Sequence, residues 1–264
     1  MLLTIGMPCY ENFTEVWFTV EALRLYQDLT DCEILVLDNK GSDDMYHLVK
    51  SFQTIRYEKF GEVNGTGPAR NEIFNRANGD FVLILDSHVF LWKDNIARLK
   101  WWLKEHWEEA KNLIQGTIVL SSLKNCYTNY LPQWRAGMWG IWPPAQDVNK
   151  LGDQAIEIEI GPLGLFGCRK DSWLGFHSKC KGFAGVEGVL QEKYRKDGRK
   201  VLCLPWLRWT HFFGSEKRVY PLQVEDKIRN FLYGFQEIGL DPKPIYEHFG
   251  EMVVSRVAES IVNE

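Results

Sequence analysis

The sequence holds no cysteines at CxxC spacing, no internal repeat and no low-complexity tract. No apolar run approaches the roughly 18 residues that a membrane span requires, so no membrane-spanning segment is expected. The six cysteines (Cys9, Cys32, Cys126, Cys168, Cys180 and Cys203) are scattered, and Cys32 and Cys203 fall inside apolar runs. A buried thiol behaves there as a small hydrophobe, so the pattern reads as free thiols in a reducing compartment rather than a disulfide framework. A basic excess is also missing. The formal net charge of -4 gives no whole-domain pull toward nucleic acid or an anionic membrane. The opening residues, MLLTIGMPCYEN, lack a basic segment and turn polar within ten positions. That is not the pattern of a secretory signal, and a cytoplasmic location is expected.

What is present is an ordinary hydrophobic content of 45% in 264 residues, with 11 tryptophans, several of them between Trp134 and Trp142. This length fits one large domain with a modest appendage. The expected division is a main domain over residues 1–220, on which any catalytic site would lie, and a helical C-terminal extension over 221–264 packed on it.

The first third alternates strand and helix patterns. Short apolar runs at 2–7, 33–37 and 81–85 are separated by helical periodicity at 14–27, after Gly41, and at 68–77. Continuous apolar strands joined by helices predict an α/β fold with a mostly parallel, Rossmann-like sheet covered on both faces. Ligands of such sheets bind at the carboxyl ends of the strands. Polar residues stand at those ends: Cys9 to Asn12, Asp38-Asn39 and Asp86-Ser87-His88.

Further on, residues 94–112 carry Ile96, Leu99, Leu103 and Trp107 near a 3.6-residue period, with Asp94 as the expected N-cap. A strand is expected over 115–120. Residues 125–153 show little periodicity and predict a long functional loop or lid. Strand character resumes at 162–168, a helix is expected over 186–196, and a strand over 201–204 leads to His211. Two helices are expected after Pro221, split near Asp241 to Pro244.

Asp86 and His88 leave a buried strand two positions apart, and residues i and i+2 of extended chain share one side. A carboxylate with an imidazole suits Mn2+ better than an ion that takes oxygen ligands alone. His211, in LPWLRWTHFFG, supplies a third candidate ligand.

The ordered segments TIGMPCYEN, LVLDNKGSD and GTGPARNEIFNRANGDFVLILDSHVFL resemble glycosyltransferase family 2 and its GT-A relatives. The Asp-x-His form, together with GPLGLFGCRKDSWLGFHSKCKGFAGVEG and the Thr210-His211-Phe212-Phe213 context, resembles polypeptide N-acetylgalactosaminyltransferase catalytic domains. The matches run in order over residues 3–91 and 160–220.

The resemblance implies a GT-A fold with C-terminal helices, and an enzyme that moves a sugar from a nucleotide donor to an acceptor hydroxyl. The implied donor is a UDP-sugar such as UDP-GalNAc, UDP-GlcNAc, UDP-Gal or UDP-Glc. It further implies Mn2+, with Mg2+ as the other candidate, held by Asp86, His88 and His211. Pro8, Tyr10 and Glu11 would wall the base pocket, and Asp38 would meet the base or ribose. Gly67, Arg70 and Ser87 would approach the nucleotide, while Arg218 and Tyr220 would close over the diphosphate. Glu187 matches the acceptor-side carboxylate. Inverting relatives carry Glu-Asp there, with the second carboxylate as general base; here the pair is Glu187-Gly188, which favours retention. The alternative is an inverting enzyme with Glu187 as the base.

Two other readings stand beside this one, a nucleotidyltransferase and a non-catalytic sugar-nucleotide-binding module. The acceptor is left open among a glycan, a protein, a lipid-linked carrier and a hydroxymethylated nucleic-acid base, because acceptor contacts lie in variable loops. Oligomeric state is not legible.

Overall fold

A computed structural model describes residues 2–41, 55–212 and 220–262. The helix expected after Gly41 lies outside the described residues. The elements, in order, are β1 (Leu3–Cys9), α1 (Phe13–Tyr26), β2 (Cys32–Asp38), β3 (Ile55–Lys59), α2 (Thr66–Arg76), β4 (Phe81–Leu85) and β5 (Val89–Leu91). There follow α3 (Asn95–Glu105), β6 (Leu113–Val119), β7 (Asn125–Tyr127), β8 (Leu131–Arg135), β9 (Met138–Ile141), β10 (Gln146–Asp147) and β11 (Ile156–Glu157). The chain ends with β12 (Leu165–Arg169), α4 (Val189–Lys196), β13 (Val201–His211), α5 (Val224–Glu237), α6 (Lys243–Phe249) and α7 (Glu251–Val262).

The parallel part of the sheet runs β3-β2-β1-β4, with Cys9 opposite Asp38 and Gly6 opposite Ile84. β12 enters antiparallel beside β4 and joins it to β6, which pairs in parallel with β13. β5 then runs antiparallel to the end of β13, His211 opposite Val89. Both sheet faces are covered. Leu3, Ile5, Leu83 and Leu85 pack with Val16, Val20, Leu23, Leu99 and Leu103 of α1 and α3. On the opposite face Leu35, Leu37, Val82 and Ile84 pack with Ile73, Phe74, Leu190 and Tyr194 of α2 and α4. The burial of every residue of FVLIL explains why that strand reads as an unbroken apolar run.

Several expectations need correction. Asp94 does not cap α3 with its side chain; it sits in the left-handed region, at φ 63°. The Gln27 side chain does that work from a distance, accepting from the backbone N–H of Ile96 and donating to the carbonyls of Leu91 and Trp92. The helix stops at Glu105, short of Trp107. Residues 125–153 are not a structureless loop, for they contain β7, β10 and the β8–β9 hairpin. The strand after Val201 continues to His211, with a register shift between Leu204 and Arg208 that accommodates Pro205. The C-terminal part holds three described helices rather than two, because Gly250, at φ 92°, separates α6 from α7.

These helices close a third apolar cluster in which Val189, Ile228, Phe231, Phe235, Ile245, Val254 and Val257 pack with Trp134 and Trp139 of the hairpin. The hairpin tryptophans therefore serve the packing of the C-terminal helices, and the two rings stack at 5.8 Å. Trp142 stays exposed against Tyr127 and Tyr130. Among the described residues, no helix is long and apolar enough to cross a membrane.

Candidate metal and nucleotide site

Asp86 follows the last residue of β4, at the carboxyl end of the parallel sheet. Its backbone N–H donates to the carbonyl of Gly164, and a Cβ on Gly164 would meet the Trp209 ring at 2.7 Å and Asp86 Oδ2 at 3.3 Å. Only glycine lets the turn before β12 approach this closely. The turn is held from below by Thr19 of α1, which donates to the Ser87 carbonyl and accepts from the Val89 N–H. Asn12 donates to the buried Ser87 hydroxyl. That turn brings His88 to the end of β13: the Phe212 N–H donates to the His88 carbonyl at 2.9 Å.

The three expected ligands come together. Asp86, His88 and His211 each offer an atom within 4.8 Å of the others'. His88 Nε2 and His211 Nε2 face one another at 2.9 Å, with the rings edge to face at 85°. A contact of this length holds one proton between two imidazole nitrogens, so one ring donates and the other accepts.

Electrostatics favour the ligating form of Asp86 and of His211. Burial raises the Asp86 carboxyl, but the adjacent Arg70 guanidinium, with His88 and His211, outweighs it and holds the group below the usual carboxylate range. Burial, then the charge of His88, pushes His211 down to about 4 against the pull of Asp86. Neutral imidazole is the form that binds metal. One carboxylate and two imidazoles form a donor set that suits a divalent first-row metal ion, and a cation taking both Nε2 lone pairs would replace the shared proton. The residues present therefore fit the implied metal.

Arg70 is placed differently from a surface phosphate ligand. It is buried in α2, its Nη2 bonded to Asp86 Oδ1 at 2.8 Å and to the Leu163 carbonyl at 2.9 Å. Its Nε is buried with no hydrogen-bond partner, over the Phe166 ring. Arg70 thus lies behind the Asp86 carboxylate, where it fixes that group's direction and charge.

The expected base-pocket residues gather at the ends of β1 and β2. Pro8 is half-buried opposite Leu37. Tyr10 sets its ring edge on Phe183 at 5.1 Å, and Phe183 stacks on Tyr220 at 4.6 Å. Glu11, at φ 52°, pairs with Lys40 at 2.5 Å, and Lys40 Nζ lies 5.5 Å from the Tyr10 ring centre. Asp38 is buried, and its carboxylate already accepts from the N–H groups of Lys40 and Gly41 and from the Tyr57 hydroxyl. Gly67 is buried with its Cα against Phe176 and Cys180. Arg218 lies outside the described residues.

Glu187 is half-buried and accepts from the Val186 N–H. Burial, and after it the Glu187 charge, drives the buried Tyr130 hydroxyl upward. Gly188 caps α4 at φ 79°, and a Cβ there would meet the Trp139 ring at 2.7 Å. The departure from a Glu-Asp pair therefore has a local cause: neither the backbone nor the neighbouring indole accepts a side chain.

Sequence reasoning missed Thr19, Tyr130 and Phe183, and it placed Asn12 and Asn39 at ligand-side strand ends without giving them a role. Asn39 is the instructive case: its side chain donates to the carbonyls of Phe60 and Val63 and accepts from the Gly65 N–H. It thereby fixes the glycine-rich entry to α2. Its position beside Asp38 was the one available signal.

Comparison with known proteins identifies the fold and the family. Residues 4–139 match the family model described as glycosyl transferase family 2. Over 117 residues, 43% of this chain, it is 25% identical to YfnE, an uncharacterized glycosyltransferase of Bacillus subtilis (strain 168). The structure superposes on GalNAc-T7, solved with UDP, GalNAc and Mn2+, at a TM-score of 0.70 and 12% identity over 89% of this chain. It also superposes on residues 1–349 of S. aureus TarS, solved in complex with UDP-GlcNAc, at a TM-score of 0.58 and 14% identity. That superposition covers 95% of this chain and 71% of the TarS chain. At these identities the structural likeness is one of fold, and the fold is GT-A. The chain spans only 29% of YfnE and 48% of the GalNAc-T7 chain. The sequence match, however, takes in the sheet from β1 through the Asp86 turn and on to the β8–β9 hairpin, just over half of all residues, and by it the chain belongs to glycosyl transferase family 2.

Proposed function

We propose that this chain transfers a sugar from a nucleoside-diphosphate-sugar donor, a UDP-sugar, to an acceptor hydroxyl, with Asp86, His88 and His211 holding a divalent ion, Mn2+ or Mg2+. The observation that carries the reading is the meeting of these three side chains, with the carboxylate backed by buried Arg70. When bound, the ion supplies charge neutralisation for the departing diphosphate. Arg70 holds the Asp86 carboxylate ionised and aimed, and the Asn12–Ser87 and Thr19–Ser87 bonds fix the turn that carries it. Tyr10, Pro8 and Glu11 form the wall for the base, with Asp38 beneath it. Tyr220, stacked on Phe183, stands on the same side as Tyr10. Arg218 belongs to the proposal through the family resemblance alone.

On the acceptor side Glu187 is the carboxylate, and Gly188 offers no second one. This supports a retaining reaction, in which the leaving phosphate takes the acceptor proton. An inverting reaction with Glu187 as base is the second reading, since Glu187 is the carboxylate present at the acceptor-side position and is half-buried there. The direct test is a panel of nucleotide sugars assayed for nucleoside diphosphate release with Mn2+ and with chelator. Metal-dependent release from at least one UDP-sugar is expected; no release from any donor contradicts the proposal. The anomeric configuration of the product, read from NMR couplings, separates retention from inversion.

A further inference from the structure

Helix α1 is apolar on two sides. Its inner stripe, Val16, Thr19, Val20 and Leu23, is buried on the sheet. Its outer side exposes Phe13, Trp17, Phe18, Leu25 and Tyr26, with relative exposures of 41%, 45%, 53%, 72% and 44%. A surface helix normally turns polar residues outward, and one that is apolar all round is normally covered. The spacing sets the outer side in two adjacent strips, Phe13 and Trp17 one turn apart and Phe18 and Leu25 two turns apart, the strips roughly a quarter turn from each other round the helix. The polar groups between them are few, chiefly Thr14 and the Glu21–Arg24 ion pair at 2.9 Å.

We propose that this outer face of α1 is the contact surface between two copies of the chain in a two-fold symmetric dimer. Area is the first argument. At about 200 Å² per large side chain, the five residues leave roughly 500 Å² exposed. One side of a standard protein interface buries about 800 Å², of which about 60% is apolar, so the apolar part is also near 500 Å². The face supplies that share from a single helix. Charge is the second argument. A helix that lies on a membrane surface borders its apolar face with lysine and arginine. Here Glu15 and Asp28 border it, the Glu21–Arg24 pair within it neutralises itself, and the nearby Lys100 is held by Asp28 at 2.8 Å. The surroundings therefore suit a protein partner rather than an anionic bilayer. Symmetry is the third argument. In a two-fold contact, residue i meets j and j meets i. Two antiparallel copies of α1 can set Phe18 of each against Leu25 of the other, so one patch serves both subunits.

The inference is independent of the donor chemistry, since none of these five side chains belongs to the metal or nucleotide site. Sedimentation equilibrium and light scattering of the whole chain at about 50 μM, above the micromolar dissociation constants of modest interfaces, are the test. A particle of twice the chain mass is expected. The double variant Phe18→Glu/Leu25→Glu replaces exposed side chains, and it is expected to be monomeric with at least a roughly 100-fold weaker association and an unchanged near-UV dichroism spectrum. Should that variant fail to fold, Trp17→Arg alone is expected to weaken association in the same direction. A monomeric wild-type protein overturns the proposal, as does a double variant that dimerises as tightly as the wild type. A monomer that instead co-sediments with phosphatidylserine vesicles, and loses that binding in the double variant, also overturns it.

Discussion

His88 and His211 stand 123 residues apart in sequence, yet their Nε2 atoms lie 2.9 Å from one another. The contact arises because β5 and the end of β13 pair with His211 opposite Val89, which places the residue before Val89 across from the ring. A carboxylate completes the group from the same turn. Nothing in the hydrophobic packing requires two imidazoles to meet there, and burial of polar nitrogens costs free energy unless they gain partners.

Arg70 tests whether the site is built as described. Removing one partner of a buried ion pair leaves an uncompensated charge, at a cost of about 3 kcal/mol. Arg70→Met is therefore expected to lower the unfolding free energy by about that amount in chelator, read by urea denaturation. Excess Mn2+ should recover part of the loss, because an ion bound to the native state stabilises it by mass action. A variant as stable as wild type in chelator would show that Arg70 does not hold Asp86.

Gly188 explains the missing second carboxylate by conformation. Gly188→Asp introduces a side chain at φ 79° and against the Trp139 ring. It is expected to cost about 1–3 kcal/mol from backbone strain and overpacking, a fall of several degrees in Tm for a chain of this size. It should not raise turnover on any donor. Wild-type stability in the Gly188→Asp variant would mean that the loop repacks and that the glycine answers to something other than fit.

Glu33 sets an acid limit on stability. Burial raises its carboxyl, but donors from Thr4, the Asn78 backbone and side chain, and Arg56 together hold it below the ordinary value. A carboxyl whose folded pKa is depressed binds its proton first in the unfolded chain. Its contribution is present above about pH 4.3, the unfolded value, and is lost as pH falls through the folded one. Glu33→Gln should therefore be less stable than wild type at pH 7, with the gap closing as pH drops below about 4. Denaturation midpoints measured from pH 3 to 7 check this; a gap that widens on acidification contradicts it.

Much of this was legible in the sequence where burial is continuous. FVLIL and EILVL could be read as strands because every position faces packed atoms, and their polar ends mark the ligand side of a parallel sheet. The Asp86–His88 pair followed from strand geometry. His211 was identified as a candidate, but the strand that carries it was expected to stop at Leu204, because Pro205 reads as a breaker; the bulge beside it lets β13 continue. The strands at 125–147 were missed because segments of two to five residues have too few positions to display a period. Asp94 looked like a cap by type, whereas Gln27, 69 residues away from Ile96, accepts its N–H. Long-range side-chain bonds of this kind leave no local pattern. The same holds for the bond of Arg70, expected to approach the nucleotide, to Asp86.

The account turns on the ion at Asp86, His88 and His211. Titration calorimetry of Mn2+ into wild type, Asp86→Asn and His211→Ala, followed by UDP-sugar turnover in the same samples, addresses it most directly. Losing a group that merely supports a metal ligand costs about 10–100-fold in metal affinity or activity, so loss of a ligand itself should cost about 100-fold or more in both, with the far-ultraviolet dichroism unchanged. Wild-type affinity and turnover in either variant would contradict the assignment.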